Sequence, residues 1–133
     1  MFVGGWNDAV TFEGARFCVL DARPEDELPA DEHRAIYNAE KDAPIRANLD
    51  ELAELAHRAR AKGSPVLFFC GHGVRRGPLA AAWYLHRSEG ISLDQAYVRI
   101  RAARPGVETV QEWVGDTKPL ADGSARPLSR IER

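Results

Sequence analysis

The chain alternates between short apolar runs and longer segments in which apolar residues recur with a helical spacing. The short runs cover residues 2–3, 17–20 and 65–69, and turn-forming residues lie beside them. Short apolar runs bounded by turn signals are typical of buried strands. We therefore predict three strands, with a loop that contains Trp6, Asn7 and Gly14 between the first two.

The clearest helical pattern covers residues 45–62. Its apolar residues are three or four positions apart, which places them on one face of an amphipathic helix. Gly63 follows directly and is suited to a left-handed helix cap. The preceding residues 21–43 are polar, with prolines inside and just after the segment, so we predict only a short helix there, over residues 31–36. The apolar residues of the long helix are Ile45, Leu49, Leu52, Leu55, Ala56 and Ala59.

Two further helices are predicted after the central strand. The first contains residues 79–85, begins with Pro78 at its first helical position and ends at Gly90. The second begins at Ser92 with a capping-box pattern completed by Gln95, and residues 105–106, Pro-Gly, stop it. Its inner face, followed by one more turned segment, would consist of Leu93, Ala96, Tyr97 and Ile100, then Val107, Val110, Trp113 and Val114.

This order of elements predicts an α/β fold, a three-layer sandwich with a small, mostly parallel central sheet flanked by helices. The chain has 133 residues, enough for one domain with a single core. We place this domain at residues 1–114. Residues 115–133 contain two prolines, an Asp-Gly-Ser turn and few apolar side chains, which predicts an extended or partly disordered tail.

Residues 70–76 connect the central strand to the next helix and carry the candidate chemistry. Cys70 and Arg76 stand six positions apart with glycines between them. Backbone N–H groups and the positive end of the helix dipole converge on such a loop, which makes it an anion site. The same field favours the thiolate form of Cys70, and the planar fork of Arg76 can bond two phosphate oxygens at once.

Cys70, Gly73 and Arg76 follow the pattern Cys-x-x-Gly-x-x-Arg. This stretch resembles the signature loop of the cysteine-dependent protein tyrosine and dual-specificity phosphatases. Residues 2–6, 17–20, 89–96 and 103–106 are also similar to compact, bacterial-type members, so the resemblance covers roughly residues 1–114. It implies hydrolysis of phosphate monoesters through a phosphocysteine formed on Cys70. The residues implied in phosphate binding are Gly71, His72, Gly73, Val74, Arg75 and Arg76.

The resemblance also implies a carboxylic acid that protonates the leaving group. In the family this acid precedes the long helix, on a loop that here covers residues 37–44. Asp42, in the sequence Asp-Ala-Pro, matches it best, and Glu40 is the alternative. Asp42 could instead cap the helix that follows, which would leave the acid role to Glu40.

Two positions depart from the family pattern. Phe69 stands where the family usually has histidine, and Gly77 stands where it usually has serine or threonine. In the family that hydroxyl is thought to stabilise the cysteine as a leaving group. Its absence predicts slow breakdown of the phosphocysteine and weak activity.

Two other functions share this loop. A rhodanese-type sulfurtransferase has the shorter pattern Cys-x-x-Gly-x-Arg, which Cys70, Gly73 and Arg75 also satisfy. A phosphate-binding pseudophosphatase with little or no turnover is the second alternative, motivated by Phe69 and Gly77. For the phosphatase we expect a phosphorylated protein or small phosphoester as substrate, inhibition by vanadate and similar oxyanions, and no cofactor or metal.

Charge and cysteine content indicate which partners and which cellular compartment to expect. A net charge of −2 provides no general attraction to nucleic acid or membranes. Residues 1–5 lack the features of a signal peptide, and no apolar run approaches the length of a membrane span. The two cysteines, Cys18 and Cys70, suit a reducing compartment, and we expect a cytoplasmic protein. Cys18 is interpreted as a buried strand residue; a reversible disulfide with Cys70 would require their strands to be neighbours.

Overall fold

The computed structural model describes residues 1–20, 32–35, 45–70, 74–110 and 114. The part of the chain so described contains four strands and four helices. The strands are β1 (Phe2–Gly4), β2 (Ala15–Leu20), β3 (Glu32–Ala35) and β4 (Val66–Phe69). The helices are α1 (Trp6–Thr11), α2 (Ile45–Ala61), α3 (Arg76–Glu89) and α4 (Leu93–Ala103).

The strands form one sheet in the order β1-β4-β2-β3, and every pairing is parallel. β4 therefore lies between the first two strands of the chain. Phe68 is the backbone partner of Val3 on one side and of Phe17 on the other. All four residues of β4 are buried, as expected for a central parallel strand.

Alternate residues of β4 enter two separate apolar clusters. Val66 and Phe68 belong to the main core, which β2, α2, α3 and α4 complete. Leu67 and Phe69 pack with Ala9 of α1 on the other side of the sheet. Because side chains alternate across a strand, helices cover both faces. The predicted α/β three-layer sandwich is thus confirmed.

The long helix α2 begins and ends close to its predicted limits. Gly63 follows it with φ of 86°. The Gly63 N–H donates to the Arg60 carbonyl at 2.9 Å and the Ser64 N–H donates to the Ala59 carbonyl at 3.0 Å. This pair of bonds is a Schellman cap, which only a residue tolerant of positive φ allows.

Three polar contacts join α2 to α3 beside the core. Asp50 Oδ1 accepts from Trp83 Nε1 at 2.8 Å and from Arg87 Nη1 at 3.1 Å. Glu54 Oε1 lies 3.8 Å from Arg87 Nη2, and the Arg87 side chain is only 2 % exposed. The guanidinium is therefore buried, whereas the side chains of its carboxylate partners Asp50 and Glu54 are 36 % and 18 % exposed.

The capping pattern predicted for α4 is present. The Gln95 N–H donates to Ser92 Oγ at 3.1 Å, and the Ser92 N–H donates to Gln95 Oε1 at 3.0 Å. Downstream, Val107, Val110 and Val114 are buried in the main core. The Val114 carbonyl accepts from Arg46 Nε at 2.8 Å, which attaches this segment to the start of α2.

The short helix predicted over residues 31–36 is wrong. Residues 32–35 form β3, which pairs with β2 from Phe17 opposite Glu32 to Leu20 opposite Ala35. Backbone groups at the open side of β2 provide hydrogen-bond partners for an extended segment, and this tertiary pairing overrides a weak local helix pattern.

The loop predicted around Trp6 and Asn7 is also wrong, because residues 6–11 form α1. Asp8 Oδ2 accepts from the Gly5 N–H at 2.7 Å, which stabilises the first turn. Ala9 then packs on β4. A smaller difference concerns α3, which begins at Arg76, two residues before the Pro78 start that we predicted.

Three other predictions concern the C-terminal tail, the two cysteines and membrane-spanning helices. The tail at residues 115–133 lies outside the described residues, so the predicted domain limit stays a prediction. β2 and β4 are neighbours, with Cys18 the backbone partner of Phe69, and Cys70 is a free thiol. Within the described ranges no helix has the length and apolar character needed to span a membrane.

Candidate active site

Cys70 lies at the carboxyl end of the central strand. It follows β4 directly, and its N–H donates to the Gly4 carbonyl at 3.4 Å. This bond continues the pairing of β1 and β4 by one residue. The Cys70 residue is 6 % exposed. Ligands of open parallel sheets bind at this end of the strands, so the thiol occupies the position expected for a reacting group.

The amino end of α3 approaches the same point. The helix begins at Arg76, and the Leu79 N–H donates to the Arg75 carbonyl at 3.0 Å in its first turn. A helix of 14 residues presents free N–H groups and a partial positive charge at this end. Arg76, itself half-buried, adds a full positive charge there.

Gly77 allows helix and strand to come this close. A Cβ at Gly77 would lie 3.2 Å from the Phe68 carbonyl oxygen and 3.3 Å from the Phe69 Cα. These are backbone atoms of the two residues before Cys70, and they cannot rotate away. The absence of a side chain at position 77 therefore places the amino end of α3 against the end of β4.

The Arg75 side chain forms an ion pair with Glu108, outside the loop. Its Nη2 lies 3.4 Å from Glu108 Oε1, and both side chains are 55 % exposed. The Glu108 N–H also donates to the Val74 carbonyl at 2.9 Å. Segment 107–110 therefore supports the end of the loop from outside. The sequence contained no signal for Glu108, because this contact joins residues 33 positions apart.

Comparison with known proteins finds similar solved structures but no match by sequence. No protein-family model matches the sequence, and no curated protein matches it. Human DUSP28 matches in structure with a TM-score of 0.68 and 22 % identity, over 84 % of this chain and 81 % of its own. Tk-PTP in its active form matches with a TM-score of 0.63 and 22 % identity, over 85 % and 83 % of the two chains. PTPMT1 matches with a TM-score of 0.68 and 16 % identity, over 84 % and 83 %.

This is the protein tyrosine phosphatase fold. The resemblance to dual-specificity and protein tyrosine phosphatases, first indicated by the Cys-x-x-Gly-x-x-Arg loop, is confirmed at the level of the fold. These comparisons give no support to the sulfurtransferase or the pseudophosphatase alternative.

The packing of α1 on the sheet accounts for Phe69, one of the two departures from the family pattern. Phe69, which replaces the usual histidine, is 1 % exposed and packs with Ala9 and Leu67, with Phe12 beside them. These neighbours belong to the small apolar cluster under α1. An imidazole at this position would be buried without a polar partner among them, so the apolar residue suits the way α1 covers the sheet.

Several predicted site residues lie outside the part of the chain that the structure describes. Gly71, His72 and Gly73 of the loop lie outside the described residues, and so do Asp42 and Glu40. Within the described part of the site, the structure places Cys70, Val74, Arg75 and Arg76 at one end of the sheet. The approach of the acid and the closing of the loop around an anion stay predictions.

Proposed function

We propose that this protein hydrolyses phosphate monoesters through a phosphocysteine intermediate formed on Cys70. The observation that carries the proposal is the junction of β4 and α3. The buried Cys70 follows the carboxyl end of the central strand, and Gly77 holds the amino end of α3 in contact with that strand. The structural likeness to dual-specificity and protein tyrosine phosphatases supports phosphatase activity in general.

In the first step, the Cys70 thiolate attacks phosphorus in line with the leaving oxygen. The S–P bond forms as the P–O bond breaks, and a carboxylic acid gives its proton to the departing oxygen. We assign this acid to Asp42, with Glu40 as the alternative. Arg76 and the N–H groups of the loop bind the three equatorial oxygens, whose charge needs fixed donors in the transition state.

In the second step, water attacks the phosphocysteine. The same carboxylate accepts a proton from the water, the S–P bond breaks, and inorganic phosphate and the thiolate are released. Gly77 provides no hydroxyl to stabilise the departing thiolate. We therefore expect this second step to be slower than the first.

Our proposal for the substrate class is guided by the same structural likeness. We propose phosphotyrosine, phosphoserine or phosphothreonine in proteins, or a small phosphoester. The chain has 133 residues and little length for the additional loops that would make a deep, tyrosine-selective cleft. A broad specificity is therefore our proposal.

The test is hydrolysis of p-nitrophenyl phosphate without added metal, with vanadate as inhibitor. Cys70→Ser should abolish turnover. Arg76→Ala should lower kcat about 100-fold or more, as expected when a main oxyanion donor is removed. Asp42→Asn should lower kcat/KM and remove the basic limb of its pH profile, because the first step needs this carboxyl protonated. If Glu40→Gln does so instead, the acid is Glu40.

Arg75→Ala is the matched control, because Arg75 is the adjacent arginine and pairs with Glu108. Its effect on kcat should stay within a few fold. If Arg75→Ala abolished activity while Arg76→Ala did not, the shorter Cys70, Gly73 and Arg75 loop would be the functional one, and transfer of sulfur from thiosulfate to cyanide would be the next assay. Binding of phosphate without turnover would indicate the pseudophosphatase.

A further inference from the structure

Segment 107–110 is attached to the main chain of the loop at residues 70–76. The Glu108 N–H donates to the Val74 carbonyl at 2.9 Å. This bond acts on the peptide unit between Val74 and Arg75, directly before α3 begins at Arg76. None of the residues of the segment takes part in the two chemical steps, although the segment touches the loop on which the phosphoryl group would bind.

The bond to Glu108 sets the direction of the Arg75 N–H. A peptide unit is planar, and none of the described ones is cis. In such a trans unit the carbonyl and the N–H point in opposite directions. The Val74 carbonyl points to Glu108, so the Arg75 N–H points away from segment 107–110. Among the described residues no main-chain carbonyl accepts from this N–H. The Arg75 N–H is therefore a fixed donor directed to the opposite side of the loop.

This donor belongs to the amino end of α3. Arg75 is the N-cap residue, and the N–H groups of the first turn follow it. Phosphoryl transfer places negative charge on the equatorial oxygens, and donors stabilise that charge best when they are already aimed at it. Removal of one such donor lowers kcat by roughly 100- to 1,000-fold. A change in the direction of the Arg75 N–H should therefore be visible in both binding and turnover.

The segment that contains Glu108 is itself fixed by α4. The Val107 N–H donates to the Arg104 carbonyl at 3.1 Å, at the end of that helix. The Val110 N–H donates to the Tyr97 hydroxyl at 3.4 Å. Val107 and Val110 are 2 % and 6 % exposed, so the residues on both sides of Glu108 are buried in the main core. Tyr97, itself buried, therefore holds the segment from which Glu108 donates.

The side chains of Glu108 and Arg75 contribute less to this arrangement than the main chain does. Their ion pair, at 3.4 Å, joins two side chains that are each 55 % exposed. Water screens such pairs, and they contribute little to stability. The N–H of Glu108, which any residue except proline provides, is therefore the group that acts on the loop.

We propose that Glu108 and Tyr97 are positioning residues for the phosphoryl group. The Glu108 N–H turns the peptide unit at Val74 so that the Arg75 N–H donates to an equatorial oxygen. The Tyr97 hydroxyl keeps the segment that contains Glu108 in place. Neither positioning residue touches the substrate. This assignment rests on the proposed function, because it concerns how the same loop holds the anion.

Two replacements of Glu108 separate its N–H from its side chain. Glu108→Pro removes the N–H, whereas Glu108→Ala keeps it and removes the carboxylate. We expect Glu108→Pro to weaken vanadate binding and to lower kcat/KM for p-nitrophenyl phosphate by about tenfold or more. Glu108→Ala should change either quantity by no more than about threefold. Calorimetry gives the vanadate Kd without turnover, and a fraction of unfolded protein changes the stoichiometry and not the Kd.

A pair of tyrosine variants tests the second link without a change in the main chain. Tyr97→Phe removes the hydroxyl that accepts from Val110. Tyr84→Phe is the matched control, because Tyr84 is also buried and its hydroxyl accepts from Arg60 Nη1 at 3.2 Å, away from the loop. We expect Tyr97→Phe to weaken vanadate binding about fivefold or more and Tyr84→Phe to leave it unchanged. Melting temperatures check the fold, and this pair decides if Glu108→Pro does not fold.

The vanadate titrations distinguish the positioning role from the proposed function. Absence of turnover in the native protein, with vanadate binding that Tyr97→Phe weakens and Tyr84→Phe does not, would overturn hydrolysis and support the positioning role. Native turnover with equal vanadate affinity within either pair of folded variants would overturn the positioning role alone. A native protein that neither binds vanadate nor hydrolyses p-nitrophenyl phosphate would overturn both.

Discussion

At the scale of single residues, the two departures from the phosphatase loop pattern have different physical causes. Gly77 stands where a Cβ would meet the backbone of Phe68 and Phe69. Phe69 fills an apolar cluster beneath α1. Restoring the family residue at either position therefore conflicts with this chain's own packing.

Gly77→Ala tests the close contact between α3 and β4. Overpacking against fixed atoms costs about 1–3 kcal/mol, and the better helix propensity of alanine returns up to about 1 kcal/mol. We expect the free energy of unfolding to fall by about 1 kcal/mol, measured by urea denaturation. Gly106→Ala is the control, because no atom lies within 4 Å of a Cβ there. Equal stability of the two variants would contradict the close contact.

Phe69→His should be more damaging than Phe69→Leu. The imidazole would be buried among Ala9, Leu67 and Phe12, where it loses hydration. We expect the histidine variant to lose about 2–4 kcal/mol of unfolding free energy and the leucine variant about half as much. Denaturation of both, followed by circular dichroism, measures the difference. A histidine variant as stable as the native protein would show that position 69 accepts the family residue.

At the scale of the elements, a helix or strand was predicted correctly where the sequence pattern that specifies it lies within the segment itself. α2, with its Gly63 cap, and α4, with its Ser92 box, were predictable because apolar spacing and caps lie within the segment itself. α1 and β3 were missed because contacts with β4 and with the side of β2 decide their conformation. Neither contact is visible in a window of neighbouring residues.

The same distinction applies to the candidate site. Cys70 and Arg76 were predictable because strand, loop and helix follow one another without interruption. The Arg75 contact with Glu108 was not, since it depends on how segment 107–110 returns to the loop. Arg75, which the resemblance implies in phosphate binding, forms an exposed ion pair with Glu108.

We expect the polar contacts between α2 and α3 to contribute measurably to the free energy of unfolding. Asp50→Asn keeps an acceptor for Trp83 and removes the negative charge beside the buried Arg87. Asp50 is partly exposed and Glu54 remains nearby, so we expect a loss of about 1–2 kcal/mol, below the value for a fully buried pair. Thermal and urea denaturation measure it.

Glu89→Gln is the control for Asp50→Asn. It removes the charge from the Arg99 pair, in which both side chains are about half exposed. Exposed pairs contribute little to stability, so the change should be small. A loss as large as that of Asp50→Asn would mean that burial of Arg87 does not strengthen its pairing.

At the scale of the whole molecule, the domain limit at residue 114 can be tested by truncation. Val107, Val110 and Val114 are buried, and the Val114 carbonyl accepts from Arg46. A chain that ends at residue 116 should keep the melting temperature of the full chain. One that ends at residue 106 loses three buried valines at about 1.5–3 kcal/mol each, comparable with the whole stability of a small domain, and should not fold. Unfolding of the longer truncation would place the tail within the domain.

The strand order has a consequence for how the chain folds. β1 is paired only with β4, and β2 is paired with β3 and β4 but not with β1. About 45 residues separate β2 from β4 along the chain. A nascent chain that has not yet included residues 66–69 can pair β2 with β3 but has nothing to join β1 to them. Sheet formation must therefore wait for long-range pairing, which slows folding because a long loop has to close first. The segment that brings the nucleophile is also the one that completes the sheet, so the candidate site cannot form before the sheet does.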